Sequence, residues 1–338
     1  MVSETADVVI VGGGLEGAAS AWALSRRGVT DVVVVERSTV GSGMTGKSSG
    51  IVRCHYGVSS LAAMAAVGLE VFEQGEELFG TDIGFRQTGY VVGVGEQNVD
   101  SLRKSLAAQR AVGVETEEID TSEVAQLWPF ADLTPFAAFG WEARGGYGDA
   151  YQTAQAFSTA ARNAGVRVRQ GSTVTGLLVD GDKVTGVRLA DGTEITAGTV
   201  VVATGVWTRP FLAPYGIDLP IKVIREQIVM INPGVDIGKV PVFSDLVSLQ
   251  YVRPEVGGDI LFGNSDLPGY ADIDPADPDD YINRATEDFV DVTVDKVGAR
   301  FPGFTDAAIT SSYAGCYDVT PDYNPCLLYT SPSPRDRS

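Results

Sequence analysis

Asp7-Val8-Val9-Ile10-Val11-Gly12-Gly13-Gly14-Leu15-Glu16-Gly17 begins a stretch that runs through an Ala-rich segment to Gly28 and closes on Val32-Val33-Val34-Val35-Glu36. Continuous apolar runs of this kind suit strands buried on both faces of a parallel sheet. Gly12, Gly14 and Gly17 fit G-x-G-x-x-G. The first glycine permits a tight turn, the second lets backbone approach a pyrophosphate, and the third lets a helix pack closely on a strand. The helix N-terminus adds free N–H groups and a positive dipole end. Residues 18–27 are good helix material, and Gly28 supplies the C-terminal stop. Glu36 closes the second strand about 20 residues on, where a carboxylate can accept both ribose hydroxyls. A glycine triplet alone is an ordinary strand–helix turn. Strand, helix, second strand and terminal Glu in register make a dinucleotide site, for FAD or NAD.

The chain has 338 residues, enough for a substantial core and about two domains. Its 44% hydrophobic and 20% charged content is ordinary for a soluble enzyme. The formal net charge of −19 disfavours nucleic acid and anionic lipid as partners. No apolar run approaches a membrane span, and residues 1–7 lack the basic and apolar regions of a signal peptide, so a cytoplasmic location is expected. Cys54, Cys316 and Cys326 have no metal-type spacing, and His55 is the single histidine. No metal site, disulfide framework or Ser-His-Asp hydrolase is expected from that set.

After Glu36, residues 41–50 are small, polar and Gly-rich, a loop that lets backbone approach a ligand. Gly46-Lys47-Ser48 lacks the glycine spacing of a nucleoside-triphosphate loop. Residues 61–79, 101–112, 154–165 and 286–300 read as helices, the first with an acidic outer face. Residues 85–94 read as a strand pair, and 128–141 as an irregular, aromatic loop or cover region. Strands are expected at 166–168, 173–179, 199–202, 223–230 and 308–318, and over 249–263 with a turn at Gly257-Gly258. Residues 272–280 are acidic and Pro-rich, an exposed connection.

These segments together resemble the D-amino-acid-oxidase-like FAD enzymes, which include glycine oxidase, sarcosine oxidase and dehydrogenase, and dimethylglycine dehydrogenase. The resemblance rests on the Gly12–Gly17 turn with Glu36, Gly41-Ser42-Gly43 leading to Ile51-Val52-Arg53, and Gly165-Val166 with Thr173-Val174-Thr175-Gly176. It continues through Val201-Val202-Ala203-Thr204-Gly205-Val206-Trp207, Arg225-Glu226-Gln227, Tyr251-Val252-Arg253-Pro254 and Asp318-Val319-Thr320-Pro321-Asp322. It implies an α/β fold: a discontinuous Rossmann-like FAD-binding domain (1–80, 141–220 and 311–325) and a mixed-sheet α+β substrate domain (81–140 and 221–310). The implied cofactor contacts are Gly12, Gly14, Gly17, Glu36, Arg37, Ser42, Gly43, Ser49, Gly50, Val174, Ala203, Thr204, Gly205 and Trp207. Val174 would hold the adenine through its backbone.

The chemistry the resemblance implies is hydride removal from a carbon beside an amine nitrogen, leaving an imine that water hydrolyses. Sarcosine, dimethylglycine and D-amino acids typify the substrates, and oxygen or another carrier takes the electrons. Such a site needs a cation for substrate carboxylate or flavin charge, and aromatic walls. Arg53 is the best cation, with a structural arginine paired to a carboxylate as the other reading. Tyr251 and Arg253, two apart on a strand, share a face and join Arg53 as the expected catalytic residues. Arg225 and Gln227 form a similar pair, for the site or for the sheet alone. Cys316 lies one residue out of register with the flavin-linking cysteine of monomeric sarcosine oxidases, so non-covalent FAD is expected. No lysine occurs between Lys239 and Lys296, whereas oxygen-using sarcosine oxidases place one in the strand after the Tyr-x-x-Pro hairpin. A dehydrogenase, and a partner subunit, are therefore serious readings. A 2-hydroxy-acid oxidoreductase and a non-catalytic flavin-binding subunit are the alternatives.

The tail carries its own expectation. Residues 326–336 back-translate as a transposase-type sequencing-library adapter, so 326–338 reads as artefact. On that reading a natural C-terminal segment is missing, and the chain as written binds FAD weakly or aggregates.

Overall fold

The valine-rich run ending at Val11 is the middle of a six-stranded sheet in the computed structural model, which describes residues 3–266 and 277–324. The early strands are β1 (Ser3–Val11), β2 (Val32–Val35), β3 (Ile51–Val52), β4 (Tyr90–Val94), β5 (Glu117–Ile119), β6 (Ala138–Glu142), β7 (Gly146–Tyr147) and β8 (Arg167–Arg169). There follow β9 (Val174–Asp180), β10 (Lys183–Leu189), β11 (Glu194–Val202), β12 (Lys222–Asn232), β13 (Val242–Asp245), β14 (Gln250–Pro254), β15 (Ile260–Asn264) and β16 (Ala308–Val319). The helices are α1 (Leu15–Ser25), α2 (Ser59–Glu73), α3 (Gly75–Phe79), α4 (Val99–Ala111), α5 (Thr121–Leu127), α6 (Ala150–Asn163), α7 (Thr208–Leu212) and α8 (Glu287–Arg300).

The first sheet has the order β8-β2-β1-β11-β10-β9. β8, β2, β1 and β11 run parallel, and β11, β10 and β9 form an antiparallel meander. Alternation between two buried faces explains why residues 8–11 of β1 and all of β2 are apolar. Val9, Val11, Val33 and Val35 pack with Val187, Leu189 and Ile195 on one face, and Val8, Ile10, Val32 and Val34 pack with Ala21, Ala161 and Val166 on the other. Small alanines let α1 and α6 lie close on that second face.

The second sheet has the order β16-β12-β15-β14-β13-β4-β6-β5. Its core face carries Val229, Ile231, Phe243, Val252, Ile260 and Phe262 against Val297 and Phe301 of the α8 region. Full burial of each such side chain contributes about 1.5–3 kcal/mol. The other face, with Ile228, Met230, Leu261 and Tyr251, turns toward the first sheet's loops.

Three local expectations change. Residues 61–79 form two helices, broken at Gln74, where a Cβ on Gly75 would lie 2.4 Å from Ile83 Cδ1. Residues 85–94 give one strand, β4, with Arg86 bridging Tyr147 instead of pairing locally. Residues 128–137 form the expected loop, but it is no surface cover, since Trp128 is fully buried and donates its indole N–H to Pro241 O at 3.1 Å, and the last residues of the stretch belong to β6. β16 pairs with β12 along 308–319 as one strand, so a boundary at 310/311 falls inside it. The tail reading at 326–338 and most of the acidic connection lie outside the described residues. Among the described residues no helix is long and apolar enough to cross a membrane.

Candidate functional site

Parallel strands β1 and β11 end side by side, and each runs into a turn of small residues. Gly12 adopts φ +104°, and a Cβ there would lie 2.3 Å from Ala203 O. A Cβ on Gly17 would lie 2.0 Å from Gly12 O, which is the close helix–strand approach expected of the third glycine. Gly14 caps α1, and the next amide, Leu15 N–H, donates to Thr45 Oγ1 at 2.9 Å. The Ala203-Thr204-Gly205 turn is fixed by Ala203 N–H to Val11 O at 2.8 Å and by a Thr204–Thr208 hydroxyl contact of 2.9 Å. Two backbone-rich turns thus share the crevice at the carboxyl ends of the strands.

Glu36 ends β2 beside them. Its carboxylate accepts Gly13 N–H and Ser38 N–H, both at 2.8 Å. Gly171 N–H donates to Ser38 O and Ser172 N–H to Glu36 O, each at 2.9 Å, which draws the segment entering β9 at Val174 against the end of β2. Arg37 stacks over Trp207 at 4.1 Å, and the Trp207 ring also reaches Gly43. Ser42 turns its hydroxyl back to Thr39 O at 2.7 Å. Gly50 holds φ +65°, where a Cβ would lie 2.0 Å from Gly148 O. Ser49 lies on the wall of a neighbouring cleft.

That cleft, of about 190 Å³, lies between the loop of the first unit and the second sheet. Met44, Lys47, Ser48 and Ser49 form one wall, and Glu226, Ile228, Tyr251 and residues 315–318 form the other. Tyr251 fits because it crosses Gly263, where a Cβ would lie 2.2 Å from the ring. Arg253 shares its face, is ion-paired with Glu255, and lies 4.8 Å over Tyr147. Arg225 and Gln227 point the other way: Arg225 donates to Ile282 O at 3.2 Å and Gln227 accepts Thr286 N–H at 2.8 Å. Neither lines the cleft. Cys316 lies opposite Arg225, is buried and also borders the cleft, and Gly315, opposite Glu226, packs under Lys47.

Arg53 follows β3 in a buried network that reading the sequence did not assemble. Its guanidinium donates to His55 O and lies over Tyr56 and Tyr90 at 4.6 and 5.5 Å. Glu142 of β6 accepts Cys54 N–H at 2.8 Å, and burial pushes its carboxyl up to about 7. Burial, then Arg53, pulls His55 down to about 4. Gln109 lies 3.2 Å from His55 Nδ1. Two buried carboxylates, Glu226 on the cleft and Glu142 beside Arg53, stand out only in the structure. Each is a charged residue inside a strand, and the sequence signal was the oddity of a carboxylate at an inward position.

The sequence model of the DAO family, FAD dependent oxidoreductase, matches residues 7–334. The chain is 30% identical over 254 residues to 4-methylaminobutanoate oxidase (formaldehyde-forming) of Paenarthrobacter nicotinovorans, across 74% of this chain and 30% of that protein. It is 28% identical over 339 residues to sarcosine oxidase subunit beta of an Arthrobacter species, across 96% and 79%. The crystal structure of L-proline dehydrogenase from P. horikoshii superposes with a TM-score of 0.87 at 26% identity, across 96% of this chain and 85% of that one. The chain spans less than a third of the length of the first curated relatives it matches.

The residues fit the family's cofactor, FAD. The crevice has no room for a Cβ at Gly12 or Gly17, and Glu36 stands at the end of β2. The buried Trp207 Nε1 has no protein partner among the described residues and lies beside the same turn.

Proposed function

We propose the reaction of a chain that belongs to the DAO family of FAD dependent oxidoreductases: oxidation of the C–N bond of a small amine or N-methyl amino acid. The observation that carries it is the cleft in which the Met44–Ser49 loop of the cofactor unit faces Tyr251, Tyr317 and Glu226 of the second sheet. FAD supplies the hydride acceptor. The carbon beside nitrogen gives up a hydride, nitrogen's lone pair forms the C=N bond, and water then hydrolyses the imine.

Tyr251 and Tyr317 supply aromatic walls that limit water. Arg53 and Arg253 are the cations assigned to substrate carboxylate or flavin charge; Arg253 is buried and Arg53 half-buried among aromatic rings, where charge interactions are screened less than in water. The names of the relatives, a sarcosine oxidase subunit and a methylaminobutanoate oxidase, support the amine class, and the first supports a partner subunit. The buried free thiols Cys54 and Cys316 suit a reducing, cytoplasmic setting.

The test is turnover with FAD in excess and an artificial electron acceptor, across sarcosine, dimethylglycine, proline, D-amino acids and 2-hydroxyglutarate. Activity on an amine supports the reading. Activity confined to 2-hydroxyglutarate replaces it with the hydroxy-acid alternative.

A further inference from the structure

Glu226 projects from β12 opposite Gly315, into the cleft with Tyr251 and Tyr317. It is 8% exposed. Of the other buried carboxylates, Asp245 is bound by Ser248 and Arg300, and Glu142 accepts Cys54 N–H with one oxygen while its other oxygen has no hydrogen-bond partner among the described residues. Among the described residues no hydrogen bond or ion pair holds Glu226. Its oxygens are not sealed in the core but open onto the cleft, and a mostly buried carboxylate that no protein group holds favours a cationic ligand there.

The groups facing it from each neighbouring element do not supply it. Asp266, past β15, repels; Tyr251 on β14 and Tyr317 on β16 are neutral phenols; Asp318 lies further along β16. Lys47, on the opposite wall, sends its ammonium to Asn283 Oδ1 at 3.1 Å. Burial, with Asp266 adding to it, pushes Glu226 up to about 8.

We propose that Glu226 binds the substrate's ammonium group and accepts its proton, which makes the cleft selective for amines over hydroxy acids. The step moves one proton. R₂NH₂⁺ and carboxylate become R₂NH and carboxylic acid, no bond to carbon changes, and no electron leaves the substrate. The nitrogen lone pair so released is what the later loss of hydride requires. This inference rests on the amine reading above.

The experiment uses FAD-loaded protein under anaerobic conditions and reads half-saturation of the flavin absorbance change at pH 8. The probes are amines paired with oxygen isosteres: proline with tetrahydrofuran-2-carboxylate, and sarcosine with methoxyacetate. Wild type should prefer the amine, and Glu226→Gln should cut that preference by about tenfold or more while leaving the isosteres nearly unchanged. If the amine preference survives Glu226→Gln, the inference is overturned and the amine reading stands. If wild type prefers the isosteres, or responds to no pair, both fall.

A second readout needs no ligand. A carboxyl whose folded pKa is raised binds more protons folded than unfolded, so its contribution to stability falls as pH rises from the ordinary Glu range through about 8. Glu226→Gln should therefore raise the melting temperature of FAD-free protein at pH 9, with the gain shrinking toward pH 5. A lower melting temperature for the variant at pH 9 would make Glu226 a structural residue and overturn the inference.

Discussion

Gly13 N–H donates to Glu36 Oε2 at 2.8 Å across 23 residues of sequence, so the acidic end of β2 also clamps the glycine turn after β1. Gly13 is buried, and its amide would lack a partner without that carboxylate. Glu36→Ala should weaken FAD binding and also lower the stability of FAD-free protein, by about 1–3 kcal/mol for the exposed need of one donor. Glu36→Gln keeps an acceptor for Gly13 and should recover most of the stability. FAD titration and thermal melts of both variants check this; equal melting temperatures for wild type and Glu36→Ala would show that the clamp contributes nothing.

Arg53 donates to His55 O while its plane lies over Tyr56 and Tyr90. Lysine keeps the charge and loses the fork and the stacking plane. Arg53→Lys should lower kcat/KM by at least about tenfold while the melting temperature moves little. Near-normal kcat/KM would remove Arg53 from the site and leave it a structural cation.

Arg300 Nε meets Asp245 Oδ2 at 2.8 Å in the core, and the same guanidinium donates to Asp132 O. Burial acts to raise the Asp245 carboxyl, but Ser248 and Arg300 outweigh it and hold it below the usual aspartate range. A depressed folded pKa gives stability that is present above the ordinary aspartate value and lost as pH falls through the lower one. Asp245→Asn leaves a buried cation unpaired and should cost about 3–5 kcal/mol at neutral pH. Denaturant midpoints from pH 7 down to 3 should show the difference shrinking with acid; a constant difference would argue that the pair does not titrate with folding.

No lysine projects from β15, and Lys296 reaches Asn264 Oδ1 at 3.2 Å from α8, on the core side of the sheet away from Tyr251. Reduced flavin should therefore reoxidise faster with a quinone or dye than with oxygen. Stopped-flow mixing of reduced protein with each acceptor decides it, and faster oxygen reaction would favour an oxidase.

The cofactor half was legible because its signals are local. Val8–Val11 and Val32–Val35 announce doubly buried strands, and Gly12, Gly17 and Glu36 act within one βαβ unit. The second sheet was legible only in outline. Ala138-Phe139-Gly140-Trp141-Glu142 lacks period-two alternation, because β6 is buried on nearly every residue, and so it read as a loop. Trp128 read as cover because its partners, Pro241 and Phe301, are more than a hundred residues away. Within Arg225-Glu226-Gln227 the flanking residues drew the attention, yet the middle one faces the cleft. That choice is fixed by pairing with Gly315 on β16, a long-range register that no local pattern carries.

The proposed reaction takes hydride from the carbon beside an amine nitrogen. The most direct measurement is anaerobic mixing of FAD-loaded protein with sarcosine, dimethylglycine and proline, and separately with 2-hydroxyglutarate, while flavin absorbance near 450 nm is followed. At least one amine should bleach the flavin, and 2-hydroxyglutarate should leave it oxidised. Bleaching by 2-hydroxyglutarate with none by any amine would contradict it.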